Sequence, residues 1–411
     1  MKMNRGYLYL GGRQTVDDSN CFAVASIHNA IAEIYLQYPE YSDLEGTLDL
    51  AFAKVMSYRN GNKFNFWNLL PPNIPLKPGA VMGEQPLVRR PTNYPLRSRY
   101  INNAANVVED ADDTSLSYAA IALRKAYKSE VLDSFSLSVS SIAPIFEAYR
   151  DQDRDNLHWF NYFLGGDRET GAYLTWLADE EVIKRWNLLK SFVHSASFFI
   201  PSSHCYPHPY VPYMPYGTND LDGVVNANVL SALAMYGELN ADGVASAVAY
   251  IEKKSRKKKY SQVGIYYPNQ YHFPYVVSKA YRRGVKALDQ SMANITQRLL
   301  DHQAEDGSWK NRRRINDGDQ IQSTCYALNA LLNGADLDDP SVSAAVESGM
   351  DYLLSHAISW EDGVYWEGGV FFSGGTVVRN TLVWMSDAYT TATTLTAIAT
   401  YRQHLEAKHG L

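Results

Sequence analysis

Cysteine is scarce: Cys21, Cys205 and Cys325 are the only three, far apart and without a CxxC pair. That spacing argues against a disulfide framework and against a structural zinc site. Long hydrophobic runs are missing too. No stretch reaches the about 18 consecutive apolar residues of a membrane-spanning helix, and Met1–Gly12 lacks the apolar core of a signal peptide. The expectation is a cytoplasmic protein without a transmembrane segment; peripheral membrane contact and oligomeric state stay open. A basic excess is also lacking. Formal net charge is −6, which argues against nucleic acid as a partner.

The chain does have length and aromatic rings. Its 411 residues are 46% hydrophobic and include 30 Tyr, 8 Trp and 14 Phe, enough for a sizeable core. Such aromatic content suits a carbohydrate cleft or a pocket that handles apolar or cationic species.

Helical spacing recurs along the chain. Val24, Ile27, Ile31 and Ile34 predict a first helix, and Leu44 to Met56 a second. Phe64-Asn65-Phe66-Trp67 opens a Pro-rich excursion through Pro95. Leu116, Ala119, Ala120, Leu123 and Tyr127 predict an amphipathic helix. Ser141 to Tyr149, with Pro144 in a first turn, reads as its outer partner. Gly171 to Leu177 reads as a short helix, and Phe198 to Tyr216 as an irregular, ordered lid. Asp222, Phe273, Asp317 and Asp387 then open further helical patterns, at a spacing of roughly 50 residues. Six better-buried helices, starting near Asp18, Asp112, Asp222, Phe273, Gln322 and Asp387, with six outer partners, predict an all-α fold, an (α/α)6 toroid. It is expected to form one domain over residues 1–411, with irregular insertions near 60–100 and 198–217.

One acidic run stands at a predicted helix mouth: Glu109-Asp110-Ala111-Asp112-Asp113-Thr114-Ser115. Thr114, Ser115 or Asp112 is a natural N-cap. Crowded carboxylates raise the proton affinity of at least one member, which would yield an acid that keeps its proton near neutral pH. A solvated acidic helix cap is the plain alternative.

Asp110-Ala111-Asp112-Asp113-Thr114-Ser115 resembles the DxDDT[AS] motif of class II terpene cyclases, the squalene–hopene and oxidosqualene cyclase superfamily. Gln303-Ala304-Glu305-Asp306-Gly307-Ser308-Trp309 resembles that superfamily's QW repeat, and Glu361 to Trp366 is a weaker echo without the Gln. With room for one toroid only, the chain is most similar to a single-domain meroterpenoid cyclase of the merosterolic acid synthase type. The resemblance implies a cyclase acting on an isoprenoid or prenylated aromatic substrate. In it Asp112 would be the general acid that protonates an alkene or epoxide, Asp110 and Asp113 would keep it protonated and aimed, and neither metal nor cofactor would take part.

A carbocation needs aromatic faces and no water. Trp67, Tyr173, Trp176, Trp384 and Tyr389 are the candidates, against ordinary core packing. Asn226 and Asn228 fall where apolar residues are expected on an inner helix. They bind the acid or a substrate head group, or are satisfied within the core. His272 and Cys325, at helix mouths, are candidates for supporting the aspartates, as a His or Cys does in related cyclases. The basic runs Arg256–Lys259 and Arg312–Arg314 read as solvated loops or head-group contacts. Three rival readings remain: a carbohydrate-active toroid pairing Asp112 with Asp222 or Asp319, a prenyltransferase β-subunit suggested by Ser323 to Leu328, and a non-enzymatic binding toroid.

Overall fold

The computed structural model describes residues 2–4, 16–93, 99–128, 140–154, 167–179, 209–212, 214, 219–312, 314–361, 363–374 and 382–410. Cys205, Arg313 and most of the predicted lid at 198–217 lie outside them. Helices in chain order are α1 (Cys21–Gln37), α2 (Leu44–Met56), α3 (Arg99–Ala105), α4 (Ala111–Tyr127), α5 (Ala143–Glu147) and α6 (Gly223–Met235). They continue with α7 (Val244–Ser255), α8 (His272–Arg282), α9 (Asp289–His302), α10 (Gly318–Gly334), α11 (Pro340–Ser355) and α12 (Asp387–His409). Among the described residues, no helix is long and apolar enough to cross a membrane.

Burial sorts these helices into two layers. In α10 every residue from Ile321 to Leu332 is buried, so it is enclosed on all sides. In α11 the buried residues are Val342, Ala345, Val346, Gly349, Met350 and Leu353, the single stripe of a helix with one wet face. The enclosed helices pack in the order α1, α4, α6, α8, α10, α12 and back to α1, a closed ring of six. Outside it, α2 covers α1 and α4, α7 covers α6, α9 covers α8 and α10, and α11 covers α10. This is an α/α toroid.

Polar caps set the ring's orientation. Asn20, Asp110, Asp222 and Ser386 each accept a backbone N–H from the first turn of α1, α4, α6 and α12. The helix N-termini therefore gather at one mouth, where their dipoles favour negative charge. The cap of α4 is Asp110, not Thr114, Ser115 or Asp112; those three lie inside the helix.

Two expectations are corrected. Gly171 to Leu177 is not a helix: Tyr173 bridges Arg150, and Trp176 bridges Asp110 in extended conformation. Ala111 N–H donates to Thr175 O at 2.7 Å and Leu177 N–H to Glu109 O at 2.9 Å, so backbone pairing outcompetes a short local pattern. The outer partner expected at Ser141 to Tyr149 shrinks to the single turn of α5, whose first N–H groups are taken by the Glu238 carboxylate. Small sheets accompany the helices of the all-α toroid. Strands Val16–Asp17, Lys2–Asn4, Leu382–Met385 and Val370–Gly374 form an antiparallel sheet in that order. It is tied to the mouth by Val370 N–H to Asp319 Oδ1 (2.7 Å) and Ser373 N–H to Tyr266 O (2.8 Å).

Two buried tryptophans lock outer helices to inner ones in the same way. Trp309 Nε1–H donates to Leu299 O (2.8 Å) of α9, and its backbone N–H to Thr324 Oγ1 (3.1 Å) of α10. Trp366 repeats this one unit later, with Leu353 O (2.7 Å) of α11 and Thr391 Oγ1 (3.0 Å) of α12. Gln303 adds a bond to Ala345 O of α11 at 2.8 Å. The turn between Gln303 and Trp309 needs Gly307: its φ is +82°, and a Cβ there would lie 2.2 Å from Ser348 O.

Candidate active site

The first turn of α4 carries Asp110, Asp112 and Asp113 into the ring's mouth, and all three are buried. Asp110 is occupied as the cap, accepting Asp113 N–H at 2.7 Å. Asp112 faces the neighbouring helices. Its Oδ1 accepts from Asn228 Nδ2 of α6 at 2.6 Å, and its Oδ2 accepts from the Tyr267 hydroxyl just before α8. The two donors leave each oxygen a second lone pair on which a proton can sit.

Burial pushes Asp112 up to about 7; the Tyr267 and Asn228 hydrogen bonds pull it down, and the Asp110 charge pushes it further up. Burial likewise raises Asp110 to about 6. Burial and then the Asp110 charge hold Asp113 well above the carboxylate range. Asp112 therefore exchanges its proton near neutral pH, which fits general-acid work.

Rings close over this acid. Phe22 lies 5.7 Å from Tyr267 and stacks on Phe371 at 5.6 Å. Phe372 meets Tyr267 edge-on at 5.9 Å and stacks on Phe66 at 4.7 Å. Tyr389 packs 4.8 Å from Phe371 and shares a hydroxyl contact with Tyr326.

The candidate residues separate on this geometry. Asn228 reaches Asp112, whereas Asn226 is satisfied by the backbone of Tyr173, accepting its N–H at 3.0 Å and donating to its O at 2.9 Å. Trp67 and Trp384 join the Phe66–Phe372 cluster. Trp176 stands edge-on to Tyr266 at 6.0 Å, beside the backbone of Asp110. Tyr173 turns away: its ring packs on Phe146 and its hydroxyl donates to Asp242 O. His272 bonds to none of the aspartates; it packs 4.6 Å from the Tyr267 ring, and burial pushes it down to about 3. Cys325 pairs with Asn329 inside α10, and burial raises its thiol to about 12.

A different cysteine attends the acids. Cys21, the first residue of α1, contacts Ser117 Oγ at 3.3 Å, and burial followed by the Asp113 charge raises its thiol well above the usual value. Tyr267, Cys21, Phe22, Phe371 and Phe372 escaped the sequence reading. The one local signal was the pair Tyr266-Tyr267 just before a helix mouth.

This arrangement, a toroid with acidic residues at its N-terminal mouth, has the fold seen in type II terpene cyclases. The apo structure of type II terpene cyclase MstE from Scytonema is 13% identical, with a TM-score of 0.55, covering 97% of this chain and 92% of that one. A variant of MstE in complex with merosterolic acid A, its product, is 14% identical with a TM-score of 0.52, covering 93% and 87%. Another variant, in complex with the substrate geranylgeranyl dihydroxybenzoate, is 13% identical with a TM-score of 0.51, covering 97% and 90%. No family model matches the chain, and no curated protein matches it in sequence.

Proposed function

We propose that the protein is a class II, protonation-initiated terpene cyclase that folds a linear isoprenoid or prenylated aromatic substrate into a polycyclic product. Asp112 carries this reading: a buried carboxyl, raised to about 7, held by Asn228 and Tyr267 and faced by aromatic rings. Its proton goes to the terminal alkene carbon (or an epoxide oxygen). The alkene π electrons form the new C–H bond, and the cation left behind is captured by the next double bond. Loss of a final proton leaves an isomer of the substrate, so no atom is gained. The conjugate base is stabilised by the two hydrogen bonds at the moment it forms. Each ring face lowers the cation's energy by up to about 2 kcal/mol when water is excluded.

The resemblance of residues 110–115 and of Gln303 to Trp309 to the cyclase motifs supports the reading, as do the bound substrate and product of the similar MstE structures. A two-carboxylate hydrolase fits less well. Asp222 accepts Val224 and Ile265 N–H, and Asp319 accepts Val370, Ile315 and Asn316 N–H, so both are occupied in holding backbone.

The test is incubation with EDTA of wild type and Asp112→Asn, using farnesyl and geranylgeranyl substrates in free and arene-linked forms. Wild type should yield a cyclised product of unchanged mass, and the variant should be slower by about 10²–10⁴-fold. Equal cyclisation by both proteins would remove Asp112 from the acid role.

A further inference from the structure

The lumen of the ring has a second end, and its chemistry is the opposite of the first. A cavity of about 390 Å³ opens there between the last turns of α1, α8 and α10 and the middle of α12. Because α1 and α8 are not neighbours in the ring, the cavity lies within the lumen. Its charged lining is Lys279, Arg282, Arg283 and Glu33, a formal excess of two positive charges.

The protein's own groups use up only part of this charge. Arg283 pairs with Glu33 across the lumen and donates to Ser231 Oγ at 2.9 Å. Arg282 donates to Asn333 Oδ1 (3.0 Å) and Thr400 Oγ1 (2.9 Å), both neutral acceptors. Lys279 is 9% exposed, and its ammonium has only the Tyr275 ring, 5.9 Å away, and no hydrogen bond or ion pair among the described residues. Cations in a last helical turn answer the negative helix end when they reach its carbonyls; Lys279 reaches none. The same cavity holds an unpaired acceptor, Asn329 Oδ1. Burying a charge without a partner is costly, and burial does depress Lys279 to about 8 against the opposing pull of Glu33.

We infer that this cavity is a binding site for a phosphate-type dianion, an inorganic phosphate or diphosphate group, held by Lys279, Arg282 and Arg283. The charge of such a group matches the excess of two. Its remaining O–H can donate to Asn329 Oδ1, a bond that a halide or a fully ionised oxyanion could not make. The site is separated from Asp112 by the stacked rings of Tyr275, Tyr326 and His272, at 5.1 and 4.7 Å, so it stands independently of the cyclase reading.

The experiment is calorimetric titration of the full chain with inorganic phosphate and, separately, diphosphate. Saturable binding at one site per chain is expected. Lys279→Gln should weaken it about tenfold or more, the loss of one charge-assisted hydrogen bond, and Lys279→Arg should keep most of it. Glu33→Gln should tighten binding, because it removes the one opposing charge, whereas a purely structural Glu33–Arg283 pair predicts no gain. Farnesyl diphosphate supplies the second arm. Displacement of diphosphate at lower concentration than diphosphate itself assigns the site to a lipid-linked head group, and equal displacement assigns it to the free anion. No saturable binding to folded wild type, or binding untouched by both Lys279→Gln and Glu33→Gln, overturns the proposal.

Discussion

Tyr267 shows how finely one hydroxyl sets the strength of an acid. It donates to Asp112 Oδ2 and thereby stabilises the ionised form, opposing the effect of burial. Tyr267→Phe removes that donor but keeps the ring against Phe22, Phe372 and His272. The Asp112 carboxyl should then rise by roughly one pH unit, the worth of a hydrogen bond to a charged group. A higher value means a weaker acid that stays protonated to higher pH. The alkaline limb of the kcat/KM profile should therefore move up, while the rate near pH 6 drops about tenfold. A pH–rate profile with an unmoved limb would show that Tyr267 does not act through Asp112.

At the level of elements, the two tryptophan locks allow a comparison within one molecule. Trp309→Phe leaves Leu299 O without its indole donor, at a place where α9 is about to end and offers no N–H of its own. Leu353 O, by contrast, also accepts His356 N–H at 3.1 Å, so Trp366→Phe leaves it partly satisfied. Trp309→Phe should cost about 1–3 kcal/mol and Trp366→Phe the low end of that range, measured by urea unfolding. How much of this was legible in the sequence follows the same physics. The starts of α1, α4, α6 and α12 could be read because each combines a local cap with a long periodic run. The acidic run Asp110 to Asp113 was legible because it lies within a single helical turn. Asn228 could be singled out only as a polar misfit on an inner helix, with Asn226 beside it, and Tyr267 not at all, since only packing of α4, α6 and the segment before α8 brings the two to Asp112. The four-stranded sheet escaped notice because its partners, such as Met3 and Trp384, lie at opposite ends of the chain.

For the whole molecule, stability against pH is a contest between two sets of buried groups. Burial raises Asp110 to about 6, and Asp112 and Asp222 to about 7. Unfolded aspartates titrate near about 4, so the native state binds the extra protons and stability is lost as pH climbs through the folded values. His28 and His272, pushed down by burial to about 4 and about 3, act with the opposite sign. Below about pH 6.5 the unfolded chain takes up their protons and the native state does not. Above that value only the carboxylates still change. The carboxylates begin to lose stability already above about pH 4 and outweigh the two histidines, so these groups make the Tm fall steadily from about pH 4 toward pH 8. Asp112→Asn should make that fall shallower, as calorimetry at a series of pH values would reveal. A fall of identical steepness in both proteins would mean that Asp112 is already ionised at low pH.

Ring closure also imposes an order on synthesis. α1 packs on α12, and strand Lys2–Asn4 pairs with Leu382–Met385, so the first inner helix finds its last neighbours only when the final stretch is made. At about 5–20 residues per second, a chain leaving the ribosome holds α1 unfinished for roughly 20–70 s. Throughout that interval the ring of Phe22 lacks Phe371 and Tyr389, its eventual partners. The nascent chain must carry that apolar face in water, or on a chaperone, until α12 arrives.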